Sequence, residues 1–529
     1  MDRPADQPDL PATRLVCPVT VRNTDHAHAA AVRAAELGAD AVEFRIDGFD
    51  GNDTDLLPLI LHSPVPCIVT LRSGAEGGED HTDRGTRRER LLTLAREAKP
   101  AWIDVELRDL DAGADAAAWL TGLAAHSRVI LSSHDFDSRP ADLERRVGRM
   151  VNADGASVLK VAWRARSIRD NLEAFELIDR RVMPTVALCM GKSGVPSRVL
   201  ARKFNAAMTF AALDDASRSA PGQPTLHDMH ALYRWRGLGR DTRVFGVIGS
   251  PIAHSRSPHI HNAGFQAVGF DGVYLHLPIP PEYEHFKASV LTWLDMPGLH
   301  FRGASVTLPH KANLLRFVEE RGGTIDPVAA RIGAANTLTV SNDGHLRADN
   351  SDMAAILTVA AAAMLQQPVL DVDTARAALR GVDVAVLGAG GAARAAVAGL
   401  TDAGAQVTIF NRSEQRRTDL ANEFGARHAP LASAPEAEAA LWINTTSVGM
   451  SPEIESTPLP QVPRSWDADT VVFDTVYTPP HTRLLRDAET AGCRTAAGTD
   501  MFIHQAAAQF TRWTGRPAPV DVMRGALSE

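Results

Sequence analysis

VDVAVLGAGGAARAAVAGLTDAGAQVTIFNRS, residues 382–413, decides the reading of the C-terminal half of this chain. A β-rich run ends at Leu387, and a glycine turn follows with Gly388, Ala389, Gly390 and Gly391. A helical pattern continues from Ala392 into a second β-run, QVTIFN. Glycines permit a tight turn and a close backbone approach, and the helix N-terminus attracts phosphate. The pattern is GxGGxA, a variant of the usual fingerprint, so the strand–turn–helix–strand context carries the reading: a dinucleotide-binding unit. An NAD site places an acidic residue about 20 positions beyond the glycines, on the ribose 2′-hydroxyl. Here that place is NRSEQR, with Asn411, Arg412, Ser413 and Arg416. Arginine there favours a 2′-phosphate, so NADP(H) is expected rather than NAD.

Upstream, RVFGVIG starts a further α/β segment at Arg243. In GSPIAHSRSPHIHN, Ser255 and Ser257 flank a turn; their hydroxyls suit a small carboxylate, or the start of a helix. SVTLPHK brings Thr307 and Lys311, GAANTL brings Asn336, and ADNSD brings Asp352. A Lys–Asp pair suits proton delivery to a carbonyl during hydride transfer; a surface ion pair is the other reading. The last segment, DMFIHQAAAQFTRWTG, is an amphipathic helix expected to pack on this middle region.

The first part of the chain has eight short β-rich runs: LVCPVTV (15–21), AVEFRID (41–47), PCIVTLR (66–72), WIDVELR (102–108), RVILSSHDF (128–136), SVLKVAW (157–163), PTVALCM (184–190) and a weaker AAMTFAAL (206–213). Helical segments such as DNLEAFELIDRR (170–181) lie between them, which fits a (β/α)8 barrel. An open doubly wound sheet gives the same alternation. The barrel is preferred because polar residues recur at the strand C-termini, where a barrel places its active site. Those ends carry Glu43, Arg45, Arg72, His134, Lys160 and, beyond strand seven, Arg198. A neutral lysine amine attacks a ketone to give an iminium, which acidifies the adjacent C–H. A histidine has the intrinsic pKa to remove that proton, and arginines hold an anionic substrate.

Composition bounds these readings. A chain of 529 residues exceeds one core, so two or three domains are expected. The net charge of −9 argues against a nucleic-acid surface. The basic cluster Arg84, Arg87, Arg88 and Arg90 reads as a solvated helix face beside acidic residues. Cys17, Cys67, Cys189 and Cys493 have no metal spacing and read as buried reduced thiols. No apolar run reaches the roughly 18 residues of a membrane span, and the polar N-terminus lacks a signal-peptide core. A soluble, cytoplasmic protein is expected.

EFRID, TLRS followed by EGG, SSHDF, LKVAW, MGKSGVPSR and APGQ, in that order over 13–228, resemble type I 3-dehydroquinate dehydratase. The resemblance implies a TIM barrel in which Lys160 is the Schiff-base lysine and His134 the general acid/base, with Glu76 supporting the histidine. Glu43, Arg45, Arg72 and Arg198 become substrate contacts, and Ser219 and Gln223 belong to a closing loop. One departure is Asn205-Ala206, where the family has a Gly-Ser step.

Over about 243–520, the strings above together with INTTSVGM, DTVYTPPHTRLL and GTDMFIHQAA resemble shikimate dehydrogenase. That implies a substrate-binding domain (243–355, completed by 500–520) and a Rossmann-type NADP domain (380–497), joined to the barrel by a linker (229–242). Lys311 and Asp352 become the catalytic pair. Ser255, Ser257, Thr307, Asn336, Tyr477 and Gln505 become substrate contacts. Gly388 to Ala392, Asn411 to Arg416 and Gly498 would line the cofactor. Ser305 stands where many members have Asn, Ser351 where Thr is usual, and Arg483 where Pro is frequent.

Together the resemblances imply successive steps: dehydration of 3-dehydroquinate, then reduction of 3-dehydroshikimate to shikimate with NADPH, without a metal. The expected partners are these small molecules, with no nucleic acid or membrane; the sequence leaves the oligomeric state open. Two rivals are an NAD-dependent quinate/shikimate dehydrogenase fused to the same dehydratase, and a metabolite-sensing regulator. Arg412 and the hydroxyls of Ser257 and Thr307 count against the first, and the retained Lys160, His134, Lys311 and Asp352 against the second.

Overall fold

The computed structural model describes residues 12–528 except 112–114, 181, 221 and 370. The polar segment 1–11, Arg181 of the helical stretch and Pro221 of APGQ therefore lie outside the described residues. Eight strands open the chain: β1 Arg14–Thr20, β2 Ala41–Arg45, β3 Cys67–Thr70, β4 Trp102–Glu106, β5 Arg128–Asp135, β6 Ala156–Arg164, β7 Thr185–Met190 and β8 Met208–Phe210. They pair in parallel in the order β7-β6-β5-β4-β3-β2-β1-β8. The Ala207 N–H donates to the Thr185 carbonyl at 2.8 Å, bringing β8 back against β7, so the sheet is a nearly closed barrel.

Side chains alternate along a strand, so one face of each strand fills the barrel interior. A lower layer is apolar: Ile68, Trp102, Ile130, Val158, Val186 and Met208 belong to one buried cluster. Two residues further along the same faces, Thr70, Asp104, Ser132 and Lys160 form a polar layer, all buried. This placement makes the C-terminal end of the barrel the chemical end. Asn205 adopts φ 62°, left-handed backbone that glycine enters without steric cost and asparagine tolerates better than most residues, so its place before β8 is stereochemically coherent.

Six more strands form a second sheet: β9 Arg243–Gly249, β10 Gly272–Pro278, β11 Phe301–Val306, β12 Thr324–Ile325, β13 Thr337–Val340 and β14 Leu346–Asp349. Their order is β10-β9-β11-β13-β14-β12, with β13 antiparallel to both neighbours. The helix Gly498–Thr514, followed by a last helix Val520–Ser528, packs on this sheet: Phe502, Phe510 and Trp513 share a core with Phe245, Phe265 and Tyr274. The buried Lys203, just before β8, ties barrel to second sheet by donating to the Thr242 carbonyl at 2.9 Å and meeting His300 Nδ1 at 3.2 Å.

A third sheet holds β15 Asp383–Leu387, β16 Gln406–Asn411, β17 Arg427–Pro430, β18 Leu441–Asn444, β19 Val471–Asp474 and β20 Arg494–Ala496. All its pairings are parallel, in the order β17-β16-β15-β18-β19-β20. That is the doubly wound order whose ligand crevice opens where the winding reverses, between β15 and β18. The whole is an α/β protein: a TIM barrel followed by Rossmann-like sheets.

The helix Arg84–Ala98 corrects the reading of its basic cluster. Arg87 and Arg88 are only 3% and 8% exposed. Three carboxylates draw Arg87 inward, and Arg88 donates to the Asp109 carbonyl while lying 5.0 Å from the Trp119 ring centre. The helical period could not reveal this, because the counter-charges come from other strands and loops.

Candidate active sites

At the C-terminal end of the barrel, Lys160 Nζ lies 3.0 Å from Glu43 Oε1 and 2.9 Å from Asp104 Oδ2. Its ammonium also sits 4.4 Å from the centre of the Phe210 ring. Glu43 is further bonded by the Thr70 hydroxyl. His134, on the neighbouring strand, meets Glu76 Oε2 twice: its backbone N–H at 2.9 Å and its Nδ1 at 3.0 Å. In the tautomer that donates Nδ1–H to Glu76, Nε2 keeps its lone pair and is the basic atom.

Arg72 binds this cluster together. It reaches Asp104 at 2.9 Å, Glu106 at 3.3 Å, Glu76 at 3.4 Å and the Ser132 hydroxyl at 3.0 Å. Burial opposes its charge, but Asp104, Glu76 and Glu106 outweigh burial and raise its pKa further. Burial likewise opposes the Asp104 anion, but Arg72 and Lys160 hold that carboxyl below its usual range. Burial pushes Glu76 up to about 8, helped by Glu106 and opposed by Arg72. Burial, then Arg72 and Lys160, hold His134 well below 6.5. The histidine is thus kept neutral, as a base must be.

Arg198 is buried and donates to the Phe210 carbonyl at 3.3 Å. Burial lowers its pKa to about 10. Arg45 is turned onto Asp47 through two bonds of 2.8 and 2.9 Å. The Ser219 N–H and hydroxyl both donate to Gln223 Oε1 at 3.0 Å. A β-carbon on Gly222 would lie 2.5 Å from the Gly191 carbonyl, so this loop closes down beside the end of β7, at the same end of the barrel as Lys160.

Asp104 and Glu106 escaped sequence reading. Both are buried on β4, and both contact arginine or lysine from other strands. Their signal was present in WIDVELR: acids at alternate positions of a strand otherwise apolar.

The second cluster lies where the C-terminal sheets meet. Lys311 begins a helix and its Nζ lies 2.5 Å from Asp352 Oδ2, at the start of another. Asp352 is buried, and its other oxygen accepts from Asn336 Nδ2 at 2.8 Å. The same amide approaches Gln505 Oε1 at 3.1 Å and the Ser351 hydroxyl at 3.0 Å. Ser351 therefore keeps the hydrogen bond that its position needs.

Ser257 is buried, 3.2 Å from Ser255 across their hydroxyls. Ser257 is the first residue of its helix, and its N–H donates to the Ser255 hydroxyl at 3.3 Å, so Ser255 covers one amide of the helix start while the Arg256 N-cap makes no side-chain capping bond. Tyr477 stacks on Phe502 with ring centres 4.3 Å apart and hydrogen-bonds Ser255; burial raises its phenol pKa. Thr307 lies against Gly249, whose β-carbon would meet Thr307 Cγ2 at 2.5 Å. Ser305 accepts from the Tyr274 hydroxyl and donates to Gln509, each at 2.6 Å. It is thus a link in the wall beneath the serines.

The nucleotide turn sits in the crevice between β15 and β18. Gly388 has φ 116°, and a β-carbon there would lie 2.7 Å from Thr445 Oγ1, so only glycine fits. Ala389 is half-buried, nothing lies within 4 Å of a β-carbon on Gly390, and Gly391 and Ala392 open a helix without a side-chain cap. Asn411 ends β16, and Ser413 caps the next helix through the Arg416 N–H. Arg412 and Arg416 are exposed and make no ion pair among the described residues. Gly498 packs against the Val476 carbonyl, 2.3 Å from where its β-carbon would be. Uncapped amide donors, open space and free guanidinium groups fit a phosphorylated dinucleotide. Among the described residues, no group of three or more His, Cys, Asp or Glu could hold a metal, and no helix is long and apolar enough to cross a membrane. All four cysteines are buried and free.

Four family models match parts of the chain. Residues 15–257 match the family model of type I 3-dehydroquinase. Residues 247–338 match the shikimate dehydrogenase substrate binding domain, 372–457 shikimate/quinate 5-dehydrogenase, and 498–527 the shikimate 5′-dehydrogenase C-terminal domain. The chloroplastic bifunctional 3-dehydroquinate dehydratase/shikimate dehydrogenase of Arabidopsis thaliana is 38% identical over 523 residues, covering 96% of this chain and 83% of that protein. The NADP(+) shikimate dehydrogenase of Moorella thermoacetica is 40% identical over 302 residues, 54% of this chain and 93% of its own length. Among solved structures, Thermus thermophilus shikimate 5-dehydrogenase in complex with NADP(H) and shikimate is 34% identical, covering 54% of this chain and 98% of that chain, with a TM-score of 0.45. With both halves matched in one relative over 96% of this chain, the chain belongs to the family of bifunctional 3-dehydroquinate dehydratase/shikimate dehydrogenases.

Proposed function

We propose that the barrel dehydrates 3-dehydroquinate to 3-dehydroshikimate and that the C-terminal half reduces this ketone to shikimate with NADPH. The observation that carries the reading is a matched pair of lysine-centred clusters: Lys160 between two carboxylates beside the His134–Glu76 pair, and Lys311 on Asp352 beside the glycine turn.

In the barrel, Arg198, which pairs with no carboxylate among the described residues, receives the substrate carboxylate. Glu43 and Asp104 flank Lys160 and can relay its proton, giving the neutral amine that attacks the C3 ketone; water leaves and an iminium forms. His134 Nε2 takes the C2 proton, leaving an enamine. The histidinium then protonates the departing C1 hydroxyl, which leaves as water, and hydrolysis of the conjugated iminium frees Lys160 and the product. Ser219 and Gln223 exclude solvent from this end.

In the second site, Ser255, Ser257 and Tyr477 hold the carboxylate, while Thr307, Asn336 and Gln505 orient the ring. Lys311, poised by Asp352, delivers a proton to the carbonyl oxygen. Gly388 to Ala392 and Gly498 would hold the pyrophosphate side of NADP(H), with Asn411 to Arg416 on the 2′-phosphate; bound there, the cofactor supplies the hydride. The proposed boundaries are 13–228, 229–242, 243–355 with 500–520, and 380–497. A cytoplasmic location, where reduced buried cysteines are the ordinary state, belongs to the same reading. Recovery of the native protein in an exported or organellar fraction would reject that location.

The test is a coupled assay of 3-dehydroquinate with NADPH on wild type, Lys160→Ala and Lys311→Ala. Wild type oxidises NADPH, Lys160→Ala does so only from 3-dehydroshikimate, and Lys311→Ala accumulates that intermediate. A wild type inert to both substrates sinks the reading, and one working only with NADH replaces NADPH by NADH.

A further inference from the structure

The helix Arg84–Ala98 stands outside the barrel mouth, yet one of its arginines is committed to the interior. Arg87 Nη1 lies 2.5 Å from Asp80 Oδ2, and its Nη2 lies 3.1 Å from Asp109 Oδ2 and 3.5 Å from Glu106 Oε2. All four side chains are nearly inaccessible. Glu106 in turn accepts from the Ser73 N–H at 2.8 Å and the Ser73 hydroxyl at 2.6 Å. Asp80 closes the other end of the same loop: the Gly74 N–H donates to its carbonyl at 2.9 Å, and its own N–H donates to the Arg72 carbonyl. Between these two anchors the loop carries Glu76 to His134.

We propose that Arg87 is a positioning residue for the dehydration, holding Glu106 and Asp80 so that the loop 73–80 presents Glu76 to His134. The inference rests on the dehydratase reading above and deepens it.

The charge balance supports a role beyond packing. Glu76 faces Arg72 from the end of β3, Asp104 and Glu106 from β4, and His134 from β5. His134 faces Arg72, Lys160, Asp104 and Arg45. Arg72 is therefore shared among Glu76, Asp104 and Glu106. Arg87 is the second cation on Glu106, and it leaves Arg72 free to serve Glu76 and Asp104. Without it, Glu106 draws Arg72 away and the field at His134 becomes more negative. A more negative field favours the imidazolium and raises the histidine pKa. The base must be neutral, so the acid limb of the dehydration profile moves to higher pH.

The experiment measures kcat, KM and the pH dependence of kcat/KM for 3-dehydroquinate in the full chain, for wild type, Arg87→Gln and Arg87→Lys. Thermal melting and reduction of 3-dehydroshikimate monitor folding. For Arg87→Gln we expect kcat to fall about tenfold or more with KM nearly unchanged, and the acid limb to rise by at least about half a pH unit. Arg87→Lys, which keeps the charge without the fork, restores the limb and part of kcat. Folded variants whose melting temperature drops but whose pH profile stays wild type overturn the proposal. So does failure of both variants to fold, which makes Arg87 structural only. A Lys160→Ala chain that still dehydrates would instead reject the functional reading itself.

Discussion

A β-carbon added to Gly391 would lie 3.3 Å from Cδ of Lys311, so the glycine turn of one sheet and the acid–base lysine of another are in van der Waals reach. On the reading proposed above, this contact brings the cofactor turn and the proton donor into one cleft, and it sets the tolerance of the turn. Gly391→Ala displaces a flexible methylene by a few tenths of an ångström. Gly391→Val adds branches that push Lys311 off Asp352. We expect the alanine variant to keep most of its reduction rate and the valine variant to lose about 10- to 100-fold, with dehydration untouched by either. Steady-state kinetics of the two half-reactions check this; a valine variant reducing at the wild-type rate contradicts the contact.

Asp352 is bound by Lys311 on one oxygen and Asn336 on the other. Asp352→Asn keeps the shape but removes the charge that poises the lysine. Reduction of 3-dehydroshikimate is expected to slow by about 10²- to 10⁴-fold, the range of a lost general acid–base function. 3-Dehydroquinate should still be consumed, so the intermediate accumulates and is seen by its enone absorbance. Parallel loss of dehydration would mean that the two sites are not independent.

Lys160 neutralises Glu43 and Asp104, which are buried with it. Lys160→Met abolishes dehydration and leaves two carboxylates facing each other without their cation. Breaking a buried ion pair from one side costs about 3–5 kcal/mol. Denaturant unfolding of the barrel should register that loss at neutral pH and recover part of it in acid, where the carboxylates protonate. Borohydride with substrate should trap an adduct on wild type and none on the variant. Trapping on the variant would place the imine elsewhere.

Glu76 gives a pH prediction with a fixed sign. Burial lifts its pKa in the folded protein from 4.5 to about 8. The native state then holds a proton that the unfolded chain has released, so this group costs stability progressively as pH rises from 4.5 to 8. His134, lowered by burial, acts on the acid side: below 6.5 the unfolded chain gains a proton that the native histidine refuses. Glu76→Gln removes the first slope. It should melt higher than wild type near pH 8, lose that advantage near pH 5, and dehydrate more slowly because the carboxyl that meets the His134 N–H and Nδ1 is gone. Melting curves at both pH values decide; an unchanged difference between them rejects the assignment.

What could be read from the sequence was what local pattern encodes. Eight β-runs named the barrel strands, because strands buried on both faces are apolar throughout. GAGGAAR named its turn because Gly388 needs φ 116°. Lys160 and Lys311 were legible as chemical groups at element ends. The supporting carboxylates Asp104 and Glu106 were not, since their partners lie on other strands and no periodicity links them. Arg87 was misread for the same reason: a charge is solvated or buried according to what the tertiary fold brings to it. Asn205 looked like a departure and proves to be a conservative one, taking φ 62° as a glycine would.

Arg198 carries the last prediction, in which function and stability part. It is buried with no carboxylate partner among the described residues, and burial lowers its pKa from 12.5 to about 10. A base whose native pKa is depressed costs stability wherever the unfolded chain remains protonated, which includes neutral pH. On the proposed reading, the charge is kept for the substrate carboxylate. Arg198→Met should fold at least as stably as wild type, because it exchanges an uncompensated cation for an apolar side chain of similar length. Its KM for 3-dehydroquinate should rise about 10- to 100-fold, the worth of a hydrogen-bonded charge pair with the substrate carboxylate. Substrate should also raise the melting temperature of wild type and not of the variant, since only a ligand that binds the native state stabilises it. A variant that loses stability while keeping its KM would show that Arg198 serves the barrel and not the substrate.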